Sequence, residues 1–259
     1  MTQSGFWTSM IFVCLLFFFN SKHVQAQLNF LGKPGLVMTP KPGISDEKEY
    51  FYMGTSFVPK KFALNNFVRR IDEEDYFVGN LDFASRVRIN AVLTRPRNID
   101  RIGIGDRHLD VQVDLIYQRG WLPNVGVVIT PEFNGSASLN HNAILLSKYF
   151  DLSKDLRLEF SGGYGLPLVF MKPFRGLGLD ETKFQWVDKA LLGNHYLNDF
   201  FGGVQLSAWN SLWISAEYDG RFYNASASVL LFKSLHFQAR LLGLEAFSYG
   251  FGYRFLLKD

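Results

Sequence analysis

The sequence predicts an all-β protein: a transmembrane, antiparallel, up-and-down β-barrel of about twelve strands that follows a cleaved signal peptide. Three observations predict it. In the last segment, Phe247, Tyr249, Phe251, Tyr253 and Phe255 occupy every second position, with Ser248, Gly250, Gly252 and Arg254 between them. Period two sends alternate side chains to opposite faces of a strand, so one face is aromatic and the other small or polar. Secondly, the long connections between strand candidates fall only at odd positions along the chain. Thirdly, 47% of the 259 residues are hydrophobic and 16% aromatic, yet mean hydropathy is only +0.01. Alternating strands give that average, because each apolar position is offset by a polar neighbour.

Residues 1–26 read as a secretory signal peptide. An apolar core spans 10–19, too short for a membrane-spanning helix, and Val24-Gln25-Ala26 sets cleavage after Ala26. The single cysteine, Cys14, lies in that core. The processed chain is therefore expected to have no disulfide and no thiol chemistry. Export and a cysteine-free chain predict the outer membrane of a Gram-negative cell. Residues 27–47 form an N-terminal linker broken by Pro34, Gly35, Pro40, Pro42 and Gly43. Within it, residues 35–40 suit a short extended piece, in the lumen or at the periplasmic rim.

The barrel domain is assigned to residues 48–259. Its strand candidates are 49–58, 76–84, 86–94, 109–118, 125–133, 143–151, 156–166, 199–209, 212–219, 222–232, 235–242 and 246–256. Pro131 belongs at the outer end of the fifth, because proline removes a ladder donor. The odd connections are 59–75, 95–108, 134–142, 167–198 and tight turns at Gly220 and Gly243. The even ones are the Ser85 turn, 119–124, 152–155, 210–211 and 233–234. Outer-membrane barrels have short periplasmic turns and longer outside loops, so the chain starts and ends in the periplasm. Outer-membrane lipid and the assembly machinery that reads a terminal aromatic strand are the partners this implies.

Charged residues belong on the inner face, because a charge against lipid at mid-depth costs about 2–4 kcal/mol. That rule puts Arg86, Arg88, Asp110, Asp114, Arg157, Glu159, Glu217, Asp219, Arg240 and Arg254 in the lumen. The mixture of signs predicts cross-strand ion pairs. Candidate ligand contacts in the lumen or at its rim are Arg86, Arg88, Asp110, Asp114, Glu217, Asp219, Arg221 and Arg240.

No constellation for catalysis is legible. His141, His195 and His236 are far apart and share no metal-type spacing, and His108 lies in Asp106-Arg107-His108, so no metal site is expected. Ser234 and His236 share a face, but near the periplasmic turn. Gly103-x-Gly105 and Gly176-x-Gly178 lie in loops without the strand-to-helix context of a phosphate cradle, so no cofactor is expected. A net charge of +3 gives no nucleic-acid footprint. The expectation is a protein that is not an enzyme.

Several blocks carry a family likeness. They are Asp106-Arg107-x-x-Asp110 followed by Tyr117 and Gly120-Trp121-Leu122-Pro123-Asn124-Val125-Gly126-Val127; Phe201-Gly202-Gly203; Ala216-Glu217-Tyr218-Asp219-Gly220-Arg221 with Asn224; and Gly35-Leu36-Val37-Met38-Thr39-Pro40. Together they resemble the YjbH-like outer-membrane β-barrels associated with exopolysaccharide. Members of that family are often longer, and some are lipoproteins. The resemblance implies a role in export or surface assembly of exopolysaccharide or capsule, with extracellular polysaccharide as a partner and no catalytic residues. The alternative reading is a general small-solute, porin-like channel, and an outer-membrane hydrolase stands third.

Overall fold

The computed structural model describes residues 27–43, 49–58, 74–83, 86–96, 107–131, 140–173, 177–192 and 196–258. The signal peptide with its cleavage position, the Gly103-x-Gly105 stretch and His195 lie outside the described residues. Twelve strands form a closed antiparallel barrel: β1 (Glu49–Phe57), β2 (Glu74–Phe83), β3 (Val87–Pro96), β4 (Arg107–Ile116), β5 (Asn124–Ile129), β6 (Asn142–Asp151), β7 (Leu156–Gly165), then β10 (Asp199–Ala208), β11 (Leu212–Tyr218), β12 (Tyr223–Leu231), β13 (Leu235–Leu242) and β14 (Ala246–Lys258). Each wall strand pairs with its neighbours in sequence. β14 returns to β1 with Phe57 opposite Tyr249 and Phe51 opposite Phe255, which leaves no open edge.

The predicted faces hold. On β13, His236, Gln238 and Arg240 are buried, and Phe237, Ala239 and Leu241 point outward. On β14 the aromatic row Phe247, Tyr249, Phe251, Tyr253 and Phe255 is exposed. Phe77, Leu93, Ile144, Phe160 and Ile214 continue that exposed apolar surface around the wall. So large an apolar surface belongs against lipid rather than water. The small residues on the inner face of β14 have a specific use. A Cβ at Gly252 would lie 2.1 Å from the Tyr52 hydroxyl, and one at Gly250 would lie 3.1 Å from the Arg240 guanidinium. The inner face is bare so that these two side chains can lie across it.

Several boundaries differ from the sequence reading. β5 stops at Ile129, so Pro131 is outside the ladder altogether. Two of the short turns are centred one residue earlier than expected. Trp209 and Asn210 have φ of 52° and 51°, and Phe232 and Lys233 have 50° and 60°. Two successive left-handed residues give the type I′ geometry that matches the twist of a hairpin. This moves Trp209 and Phe232 out of the strands to positions where interfacial aromatics sit. The outer connection 166–198 holds a second small sheet, absent from the sequence reading, in which β8 (Leu168–Met171) pairs with β9 (Gln185–Asp188).

The central finding concerns residues 27–43. They do not form a passive linker. They fold inside the barrel, and every residue from Gln27 to Pro42 is buried. This internal plug is a set of tight turns organised by Asn29. Its Oδ1 accepts from Leu31 N and Lys33 N at 3.0 and 2.9 Å, and its Nδ2 donates to Met38 O at 3.0 Å. Phe30 N donates to Val37 O at 2.6 Å, and Leu36 N to Thr39 O at 2.9 Å. Gly32, at φ 78°, supplies a left-handed turn, and a Cβ there would lie 2.7 Å from that of Val78 on the wall. Residues 35–40 lie in the lumen, one of the two places expected, but as a turn closed by the Gly35–Pro40 bridge rather than as an extended piece.

Phe251 lies near the middle of β14 on the outer face. Replacing it with arginine is expected to destabilise the barrel in lipid vesicles by about 2–4 kcal/mol. Urea unfolding monitored by tryptophan fluorescence measures this, and no loss of stability would place that face away from lipid.

Candidate functional site

The site is the contact between plug and inner wall, and it is mainly electrostatic. Among the described residues, the buried acids of the barrel are Asp82, Asp110, Asp114, Glu159, Glu217 and Asp219, against the buried bases Arg88 and Arg240. The wall is thus acidic inside, and the plug brings two lysines, Lys33 and Lys41, both buried. Buried charge is tolerated only when paired and hydrogen-bonded, so plug and wall satisfy one another.

Glu217, near the outer end of β11, makes the densest contact. One oxygen accepts from Met38 N at 2.5 Å, and the other from Val37 N at 3.0 Å, Thr39 N at 3.2 Å and the Thr39 hydroxyl at 2.7 Å. Asn224 on the adjoining strand donates to the same carboxylate at 3.2 Å. Three successive N–H groups converging on one carboxylate form an anion nest. Here the plug supplies the nest and the wall supplies the anion.

Other contacts distribute the hold around the circumference. Lys41 pairs with Glu159 and donates to Gln205 Oε1 at 3.2 Å. Gly43 N donates to Asp114 at 3.0 Å, Gln112 to Lys41 O at 2.9 Å and Ser147 to Pro42 O at 3.1 Å. Arg240 donates to Asn29 O and to Ser56 Oγ, each at 3.2 Å, with its guanidinium 5.5 Å from the Phe30 ring centre. Gln27 donates to Ser226 at 2.5 Å and accepts from Gln205 at 2.9 Å. Apolar packing adds to this. Phe30 meets Tyr76 edge-on at 4.6 Å, and Leu28, Leu31, Val37 and Met38 share one cluster with Tyr52, Val78, Val92 and Leu145.

Lys33 reaches the outer half of the lumen. Its Nζ lies 3.1 Å from Asp110 Oδ2 and 2.8 Å from His141 Nε2. His108 Nε2 lies 2.8 Å from the same Asp110 oxygen, and the His108 and His141 rings stack at 5.2 Å. One ligand atom from each of His108, Asp110 and His141 falls within 4.8 Å of the others. Histidines without metal-type spacing in the sequence are thus neighbours in space. β4 and the start of β6 are far apart in sequence, and closure of the wall joins them.

The outer connection closes over this region. Tyr196 donates to Met38 O at 2.7 Å and packs edge-on against His141 at 5.0 Å. Its own segment is fixed by the Lys189 ammonium, which donates to Tyr196 O, Leu197 O and Asn198 Oδ1 at 2.9, 3.3 and 2.9 Å. Burial pushes the Lys189 pKa down to about 7, with Asp199 opposing the shift.

The candidate residues therefore divide. Asp110, Asp114, Glu217 and Arg240 converge on the plug. Arg88 is inside but pairs with Asp82 at 2.5 Å. Asp219 is buried and serves its own turn, accepting from Arg221 N, Phe222 N and Asn224. Arg221 is exposed and lies over Phe222. Arg86, expected in the lumen, is exposed at the turn before β3, where it donates to Leu115 O and lies over Tyr117. A turn residue has no neighbouring strand to orient it inward. Arg157 and Arg254 are half-buried near the same end, held by Asp151 and Lys233 O. Ser234 and His236 do not form a nucleophile and base. His236 Nδ1 faces Gln238 at 2.7 Å, and Nε2 has no hydrogen-bond partner among the described residues.

The sequence reading missed Lys33, Lys41, Asn29, His108, His141 and Tyr196 as one site. The available signal was slight: two lysines in an otherwise uncharged, aperiodic segment. The inward charges expected from alternation balance at five bases and five acids, and the acidic excess emerges only where Arg86, Arg157 and Arg254 lie away from the buried lumen.

No protein-family model matches the chain, and no curated protein matches it. Among solved structures, one described as "KdgM porin" is similar to it at 10% identity, with a TM-score of 0.44, over 80% of this chain and 98% of that one. A likeness that low carries no argument, and the fold stands on the strand pairing.

Two outcomes are expected. In a Cys14→Ser background, a cysteine at Val37 should react slowly with a membrane-impermeant maleimide. Glu217→Ala, which removes its four contacts to the plug, should raise the labelling rate at least about tenfold, since bonds to a charged group are worth about 1.5–3 kcal/mol each. For Lys189, the folded-state pKa of about 7 lies below the 10.5 of the open chain. The cost of burying the charge is thus full below pH 7 and is relieved as pH rises from 7 to 10.5. The Tm of the native chain minus that of Lys189→Met should therefore increase across that window.

Proposed function

We propose that this protein is a non-enzymatic barrel of the Gram-negative outer membrane, and that it works as a channel closed by its own N-terminal segment. The single observation that carries the reading is the plug: residues 27–42 are buried inside the wall and bonded around its circumference. A porin that stands open has no use for such a segment. A gated passage does, because the inner wall beneath the plug is lined with hydrogen-bonding side chains. Ser56, Ser147, Ser161, Ser207, Ser215, Ser226, Ser228 and Ser248 face inward with Asn80, Asn90, Gln112, Gln205 and Gln238. Such a wall suits a hydroxyl-rich or otherwise polar solute.

Departure of the plug also has a physical route. Water would enter an emptied lumen and solvate Asp110, Glu159 and Glu217. The exchange then replaces protein hydrogen bonds with water rather than leaving bare buried charge. A second reading rests on the family-like blocks, above all Glu217-Tyr218-Asp219-Gly220. It assigns the barrel to export or surface assembly of exopolysaccharide. Both readings use the same closed resting state.

Planar-bilayer recording tests the proposal. The full chain is expected to be silent or to open rarely, and a chain lacking residues 27–43 to conduct steadily. Steady conduction by the full chain would overturn the gated reading. A barrel that stays silent without the segment would favour the assembly role.

A further inference from the structure

The Lys33 ammonium stands where a metal cation would stand. Two imidazole nitrogens and one carboxylate oxygen, from His141, His108 and Asp110, lie within 4.8 Å of one another. Lys33 Nζ is 2.8 Å from His141 Nε2 and 3.1 Å from Asp110 Oδ2. Two histidines and a carboxylate are a ligand set that zinc-class cations accept, with ligand bonds of about 2.0–2.2 Å and a further position open to water or solute. Three ligand atoms this close can converge on one such ion with small side-chain rotations.

A second observation points the same way. The hydrogen bonds to Asp110 crowd onto one oxygen: Oδ2 faces Lys33, His108 and the Asn90 Nδ2 at 3.1 Å. The other oxygen, Oδ1, is fully buried and has no hydrogen-bond partner among the described residues. A buried carboxylate oxygen left idle is costly. A cation between the three ligands could draw on it, while Asn90 oriented the carboxylate from behind, as residues around metal ligands do.

We propose that His108, Asp110 and His141 form a divalent-cation site of the zinc class in the outer half of the lumen. The seated plug fills this site with Lys33, so cation and plug compete for it. The proposal rests on the reading of residues 27–43 as a removable plug. It adds a ligand class: a zinc-like ion that takes the site favours the open barrel, and loss of the ion favours the seated plug. The ammonium serves as a tethered substitute that any cation must displace.

The test uses the folded, full-length protein in detergent, with Co2+ as a visible probe and Zn2+ as competitor. Lys33→Ala removes the tethered charge and leaves room. It is expected to bind one Co2+ per chain at least about tenfold more tightly than the native chain, a difference of about 1.4 kcal/mol. Tetrahedral-type absorption should appear and be abolished by Zn2+. Adding His108→Ala or Asp110→Ala to Lys33→Ala should remove that binding. Heat-shifted gel mobility reports folding, and Lys33→Ser carries the same test should the alanine variant not fold. Equal Co2+ affinity in native and Lys33→Ala protein, or binding that survives loss of His108, would overturn the inference. Failure of the two ideas is separable. If the chain lacking 27–43 conducts but Lys33→Ala takes no Co2+, the cation site falls and the gate stands. If Lys33→Ala takes Co2+ but the shortened chain stays silent, the gate falls and the ligand set stands.

Discussion

The carboxylate of Glu217 receives the N–H groups of Val37, Met38 and Thr39 inside the barrel. Much of the structure follows from that contact. It places an anion of the wall against a turn of the plug, which fixes the height at which the plug sits. From that height Lys33 reaches upward to Asp110 and His141, and Lys41 downward to Glu159. Tyr196 of the outer connection then closes on Met38. An acidic interior would be a poor place for a dry, filled lumen without these partners. Plug and wall are therefore complementary halves of one polar core, and the apolar surface is turned outward to lipid. The usual inside-out relation of a soluble domain is reversed.

That reversal explains why a filled barrel can also be a passage. A hydrocarbon core, once emptied, exposes apolar surface to water at a cost of about 25 cal/mol per Å2. A polar interior loses hydrogen bonds to protein and regains them from water, at a much smaller net difference. The many serines and amides of the inner wall allow either state. The stacked His108 and His141 rings and the crowded Asp110 oxygen lie where the plug's lysine meets the wall, which is where the proposed cation would shift that balance.

The wall was legible in the sequence because it obeys period two. Alternation in β4, β7 and β13 identified both faces, and the parity of long and short connections gave direction. Boundaries were less legible where turn geometry decides them: Trp209 and Phe232 look like strand residues by composition but take left-handed turn conformations. The plug was only partly legible. The composition of residues 35–40 suits an extended piece in the lumen or at its rim, but a segment without period carries no sign of what it packs against. Its partners, Glu159, Glu217, Asp110 and His141, are more than a hundred residues away or on strands brought together only by closure of the barrel. Alternation places Arg86 inward only if the strand includes it, and β3 begins one residue later, at Val87.

The claim that residues 27–43 occupy the lumen of the folded barrel has one direct test. A Cβ at Gly126 on β5 would lie 2.9 Å from the Cβ of Pro42 in the plug. A small backbone adjustment brings such a pair to the ~3.5–4.5 Å that a disulfide needs. In a Cys14→Ser background, Pro42→Cys with Gly126→Cys should form this bond under mild oxidation in the assembled barrel, seen as a shift in gel mobility that reductant reverses. A correctly assembled barrel in which both cysteines stay reduced, and both react freely with maleimide, would contradict the account.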